Sequence, residues 1–202
     1  MTAVSRAEVE QAVTSAKTSY ERVLRIGALL SVATKEPAII VGGSAIEVYL
    51  TGSYVSGDID VVVDRRSEAI KVVESWGFVR AGRIWWHEDW KIEIDLLRSP
   101  YTGSREHLQT IQTPYGPVLL AAIEDLIVKR LAELKHWQNL PAREEDLMKQ
   151  AELLAVEYAG RLDEGYLDAL ARRYDTADVL AALRRRVGTR LPGVEPAIDR
   201  RE

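Results

Sequence analysis

The sequence predicts an α+β fold, a small mixed β-sheet with flanking helices and a helical C-terminal part. Three observations predict it. Val13, Ala16, Tyr20, Val23, Gly27 and Leu30 recur at helical spacing, which makes residues 6 to 35 an amphipathic helix. Short β-branched or alternating runs follow at 38 to 41, 58 to 64 and 84 to 97. After Pro117 the patterning is helical throughout. The chain therefore divides into an N-terminal helix (1–36), a core (37–117), a helical region (118–187) and a loose tail (188–202).

The elements follow in order. Pro37 stops the first helix. Ala38 to Val41 is a buried strand that ends at Gly42-Gly43, and Ser44 to Leu50 is a helix. Asp58 to Asp64 (DIDVVVD) is a strand after a loop rich in Gly and Ser. Ser67 caps a helix of Glu68 to Ser75, which Gly77 ends. Phe78 to Arg80 is a short strand. Ile84 to Trp86 and Trp90 to Leu97 form a hairpin. Residues 98 to 117 carry Pro100, Gly103, Pro114, Gly116 and Pro117, and read mostly as loop, with a tight turn at Tyr115-Gly116. Helices then cover 118 to 138, 142 to 159, 163 to 173 and 175 to 187.

Composition narrows the function. The 202 residues are 47% hydrophobic and 29% charged, as in ordinary globular domains. There is no cysteine, which excludes disulfides, thiolate metal sites and a cysteine nucleophile. No apolar run spans a bilayer and the first residues do not form a signal peptide, so a cytoplasmic location is expected. A net charge of −4 argues against indiscriminate nucleic-acid binding. Three scattered histidines leave carboxylates as the natural metal ligands.

The chemistry lies in Asp58-Ile59-Asp60. Alternate side chains of a strand share a face, so the two carboxylates point the same way. Their repulsion is relieved by a divalent cation, and Mg²⁺ suits oxygen ligands. Ile92-Glu93-Ile94-Asp95-Leu96 alternates likewise, and pairing beside the first strand would bring Asp95 to the same metals. Two ions about 4 Å apart bind the attacking and leaving oxygens of an in-line phosphoryl displacement. Upstream, Gly42-Gly43-Ser44 joins a strand end to a helix start. Glycine admits close approach, and a helix N-terminus offers amides to phosphate.

These motifs resemble the DNA-polymerase-β-type nucleotidyltransferase superfamily. Val41-Gly42-Gly43-Ser44-Ala45 and Ser56-Gly57-Asp58-Ile59-Asp60-Val61 are similar to its small prokaryotic branches, among them nucleotidyltransferase toxins of toxin–antitoxin systems. Ile123 to Lys129 resembles the helix start those branches place after the core. The resemblance covers roughly residues 38 to 147. It implies transfer of a nucleoside monophosphate from a nucleoside triphosphate to a hydroxyl of a protein, tRNA or small molecule. It implies Asp58, Asp60 and Asp95 as ligands of two Mg²⁺ or Mn²⁺ ions, Gly42, Gly43 and Ser44 as phosphate contacts, and Lys129 as a basic partner of the phosphates or of the acidic cluster. Relatives often carry an arginine before the paired aspartates, where this chain has Ser53-Tyr54-Val55-Ser56. That departure supports a second reading, a degenerate nucleotide- or RNA-binding protein of the same fold. A third is a toxin component with an antitoxin, or a homodimer.

Other residues have plainer expectations. Trp85, Trp86 and Trp90 could stack a base, but hairpin and core packing is the commoner use of tryptophan. His87, in a charged turn, reads as a surface residue, and Glu93 reads as a solvated edge residue, with a fourth acid at the site as the alternative. Glu124-Asp125 reads as a helix-start pair opposing the dipole. Arg184 to Arg186, with acids interspersed, reads as a solvated helix face.

Overall fold

Ser5 and Glu8 open the first helix by a reciprocal cap. The Glu8 amide donates to Ser5 Oγ, and the Ser5 amide donates to Glu8 Oε2 at 2.7 Å. The resulting α1 (Arg6–Thr14) is short. The stripe expected to run unbroken from 6 to 35 is two helices, because Thr18 accepts from the Glu21 amide and starts α2 (Ser19–Thr34) anew. Apolar spacing alone does not register a cap. Val23, Ile26, Gly27 and Leu30 of α2 are buried. A Cβ on Gly27 would lie 2.7 Å from Val118 Cγ2 and 2.8 Å from Ile40 Cδ1, so glycine lets this helix ride close to the sheet.

This computed structural model describes residues 4–51, 53–137 and 140–188. The fold is α+β, as expected. After α2 come β1 (Ile39–Ile40), α3 (Gly42–Leu50), β2 (Ile59–Val62) and α4 (Arg66–Ser75). Next come β3 (Val79–Ala81), β4 (Ile84–His87) and β5 (Ile92–Leu96), then a 3₁₀ turn at Arg105–His107. A second hairpin, β6 (Gln109–Thr113) and β7 (Gly116–Leu120), completes a seven-stranded sheet of order β3-β4-β5-β2-β1-β7-β6. β2 lies at its centre, parallel to β5 and antiparallel to β1. β1 runs parallel to β7.

The hairpin of β4 and β5 forms as predicted, with Trp85 opposite Ile94 and Trp86 opposite Glu93. Residues 98 to 117, read as loop, instead supply β6 and the start of β7. Pro117 lies beside the hairpin turn, paired with Gln112, where a residue without an N–H is tolerated. The expected helix from 118 begins only at Ile123, because Val118 to Leu120 belong to β7. Ser67 does not cap α4: the N-cap position is Arg65, with no side-chain cap bond.

Residues up to Ala122 form one compact unit, so the N-terminal helices belong with the sheet. Residues from Ile123 form a second unit, with α5 (Ile123–His136), α6 (Pro141–Glu157), α7 (Glu164–Arg173) and α8 (Ala177–Gly188). Within it Leu131, Leu147, Leu154, Leu170 and Leu183 are buried. Glu124 and Asp125 are buried as well. Glu124 Oε1 accepts from the Asp163 amide at 2.8 Å and Asp125 Oδ1 from the Tyr166 hydroxyl at 3.1 Å, so the pair ties α5 to the start of α7. Arg184 is ion-paired with Glu164 and Asp168, and Arg186 with Glu152. The tail at 189 to 202 lies outside the described residues. Among the described residues no helix is long and apolar enough to cross a membrane.

Candidate active site

The acids gather where β2 and β5 run side by side. In β2, Ile59 and Val61 are buried in the core and half-buried Asp60 lies between them. In β5, Ile92 and Ile94 are buried likewise. The parallel register sets Asp60 directly against Asp95. Adjacent strands lie about 4.8 Å apart, so the backbones that carry Asp60 and Asp95 are direct neighbours. Asp58, just ahead of β2, is close enough to raise the proton affinity of both Glu93 and Asp95. Glu93 is therefore not a solvated edge residue. It is half-buried, and with Asp58, Ser56 and Arg22 it lines a small cleft.

Each aspartate has a protein partner. Asp60 Oδ2 accepts the Gly43 amide at 3.0 Å. Asp58 Oδ1 accepts the Ser56 hydroxyl at 3.1 Å. Asp95 Oδ2 lies 3.4 Å from Arg83 Nε. Burial holds the Asp95 carboxyl above the usual aspartate range. Arg83 opposes that rise, Asp58 adds to it and Arg66 opposes it. Burial also raises Glu93, helped by Asp58 and Asp95. Among the described residues no group of three or more acids or histidines stands in a ready-made metal grip. The donor set nonetheless fits a hard divalent cation. It is all oxygen, and Asp58 raises the proton affinity of Asp95 and Glu93, a repulsion that such a cation relieves.

The glycine loop meets the acids from the other side. Gly42 has φ +57°, and a Cβ there would lie 2.2 Å from Asp60 Oδ2. Only glycine leaves room for that carboxylate. Val41 at the N-cap of α3 has no side-chain cap bond, and the Asp60 carboxylate meets the helix start instead. Ser44, expected to donate to phosphate, is fully buried. Its hydroxyl donates to the Val41 carbonyl at 3.0 Å and accepts from the Asp60 amide at 2.9 Å. Ser44 thus pins β2 to the start of α3 and positions Asp60.

Lys129 belongs to the second unit. It is half-buried on α5, where burial lowers its pKa and nearby Asp125 opposes the change. Sequence reasoning missed Glu47, Ser56, Arg66 and Arg83. Glu47 is buried, and its Oε2 accepts from the Ser56 amide at 2.7 Å, which steadies the loop leading into Asp58. Glu47 follows Ser44 by one helical turn, a spacing that carried the signal. Arg66 donates through Nε to the Leu96 carbonyl at 2.7 Å. The tryptophans pack: Trp85 and Trp90 are buried, while Trp86 bonds Glu88 through its ring N–H. His87, expected at the surface, is 2% exposed and stacks on Trp90 with ring centres 3.6 Å apart. Two larger hollows gather no carboxylate cluster. One lies among the helices of the second unit, and one is lined by Val32, Pro37, Pro117 and Leu119.

No protein-family model matches this chain, and no curated protein sequence matches it. A crystal structure of JHP933 from Helicobacter pylori is similar to it at 15% identity over 90% of this chain and 95% of that one, with a TM-score of 0.37. A likeness that slight carries no argument about fold or function.

Proposed function

We propose that this protein is a metal-dependent nucleotidyltransferase that moves a nucleoside monophosphate from a nucleoside triphosphate to an acceptor hydroxyl. The observation that carries the reading is the register of Asp60 against Asp95, with Asp58 within electrostatic reach and the glycine start of α3 against Asp60. Asp58, Asp60 and Asp95 would hold Mg²⁺ or Mn²⁺. When bound, such ions neutralise phosphate charge and activate the attacking hydroxyl. The acceptor oxygen attacks the α-phosphorus, the bond to the bridging oxygen breaks, and pyrophosphate leaves. Asp95 suits the role of proton acceptor, because burial raises its proton affinity. Gly42 leaves room for the Asp60 carboxylate at the start of α3, and the triphosphate would approach the same helix start beside it. Glu47, Ser56 and Ser44 act through the aspartates by fixing the chain around them.

Incubation of the purified protein with each labelled nucleoside triphosphate, Mg²⁺ and lysate tests this reading. Label transferred to a macromolecule or metabolite by the native chain, and lost in Asp58→Ala and Asp60→Ala, is the expected result. Equal transfer by all three would sink it. A second reading, a nucleotide binder without turnover, draws on the Arg83–Asp95 ion pair, which occupies one of the three carboxylates. Mg²⁺-dependent nucleotide binding with no transfer to any acceptor is its signature.

A further inference from the structure

Three arginines surround the outer end of β5, and they are held differently. Arg66 is fixed by its bond to the Leu96 carbonyl and lies 5.4 Å from the centre of the Trp85 ring. Arg80 bonds the Gly82 carbonyl at 3.0 Å and lies 5.7 Å from the same ring. Among the described residues Arg83 has neither support. It sits in the β3–β4 turn, next to Gly82 at φ +67°, and its side chain is 82% exposed. The Trp85–Ile94 register brings that turn over Asp95, whose side chain is 7% exposed. Among the described residues Arg83's one ion pair is with Asp95, made through Nε.

We propose that Arg83 is an exchange residue: it holds Asp95 in the free protein and passes to the triphosphate when nucleotide binds, leaving Asp95 to the metal. This rests on the nucleotidyltransferase reading. A buried carboxylate without a counter-charge is costly, and Arg83 supplies one while no cation is bound. A divalent cation at Asp95 makes the guanidinium redundant and repels it. A polyanionic triphosphate on the same cation attracts it, and a guanidinium fork matches phosphate oxygens well. The exposed, singly anchored side chain has the freedom to move, whereas Arg66 stays as the fixed positive charge.

The exchange predicts opposite changes in two affinities. Titration of the full-length chain with Mn²⁺ alone, and with each of the four nucleoside triphosphates plus Mg²⁺, reads both. R83Q should bind Mn²⁺ about two- to fivefold more tightly, the scale of an exposed ion pair. It should bind the preferred triphosphate about tenfold more weakly, the scale of a charge-assisted bond to phosphate. R83K should fall between. A parallel thermal melt confirms that each variant is folded. Two affinities that fall together, or neither moving, overturn the exchange and leave an ordinary ion pair. Equal Mn²⁺ affinity in the native chain and D60N overturns the carboxylate metal site itself, and the exchange with it.

Discussion

Asp60 and Asp95 are register partners on adjacent parallel strands, yet their carboxylates are held from opposite sides. Asp60 Oδ2 takes the Gly43 amide at 3.0 Å, and Asp95 Oδ2 takes the Arg83 guanidinium at 3.4 Å. The backbone fixes their proximity, while two unrelated elements set their aim. Damage to either element should therefore separate stability from activity in its own way.

Asp95→Asn removes a buried charge that its surroundings disfavour. Stability should rise by about 1 kcal/mol, or about 2–4 °C in Tm for a chain of this size. Nucleotide transfer should vanish in the same protein. Calorimetry beside the labelling assay checks the pair, and a fall in Tm would show that the Arg83 ion pair outweighs the burial penalty.

Gly42→Ala should disrupt the aim of Asp60 directly. The left-handed backbone costs an L-residue about 1–2 kcal/mol. The added methyl cannot share space with Asp60 Oδ2, 2.2 Å away, so the carboxylate must leave the Gly43 amide. Misplacement of a reacting group by about 1 Å typically lowers rate about 100-fold. Transfer at native speed by a folded Gly42→Ala would contradict the role given to this contact.

Gly27→Ala tests the fold away from the acids. Its Cβ would press on Val118 and Ile40, and such overpacking costs about 1–3 kcal/mol. Val118→Ala in the same chain should recover part of the loss, by relieving the 2.7 Å approach. Urea midpoints of the single and double variants measure it. An unchanged midpoint in Gly27→Ala refutes the close packing of α2 on the sheet.

His87 should make stability pH-dependent. Burial lowers its pKa below the ordinary 6.5, Arg6 lowers it further, and Asp89, the Trp76 backbone and Glu10 oppose. The unfolded chain therefore binds a proton before the folded one does. The stability contributed is complete above about 6.5 and is lost as pH falls from there through the lower folded value. His87→Phe keeps a ring against Trp90 and removes the titration. Its urea midpoint should change less between pH 7.5 and pH 5 than that of the native chain, and parallel curves would rule His87 out.

Much of this was legible in the sequence because period-two patterning is local. Alternation around Asp58-Ile59-Asp60 and Glu93-Ile94-Asp95 gave both acid-bearing strands, and Trp85 and Trp90 in the hairpin proved to be packing residues. The second hairpin was hidden by Pro114, Gly116 and Pro117, which signal loop wherever they occur, although a proline beside a hairpin turn costs the sheet little. The cap at Thr18 lay inside a continuous apolar stripe. His87 looked solvated beside Glu88 and Asp89, because sequence does not reveal that Phe78 and Trp90 close over the ring. The bond of Ser44 to the Asp60 amide was not legible, since that partner lies 16 residues away. Arg83 had no signal at all: its meaning depends on which residue the turn overhangs.

β1 has a consequence for how the molecule comes to be made. This two-residue strand leads straight into Gly42, and its two edges are filled by β2 and by β7, the latter joined only when Leu119 and Leu120 arrive. Contacts so distant along the chain close slowly, because loop closure precedes any reward. During synthesis the glycine turn and its aspartates are exported from the ribosome long before β7 can brace them. The support of β1 thus waits on a strand that contributes no acid, and a chain released before Leu120 would carry every carboxylate of the proposed site without the brace that leads into its glycine turn.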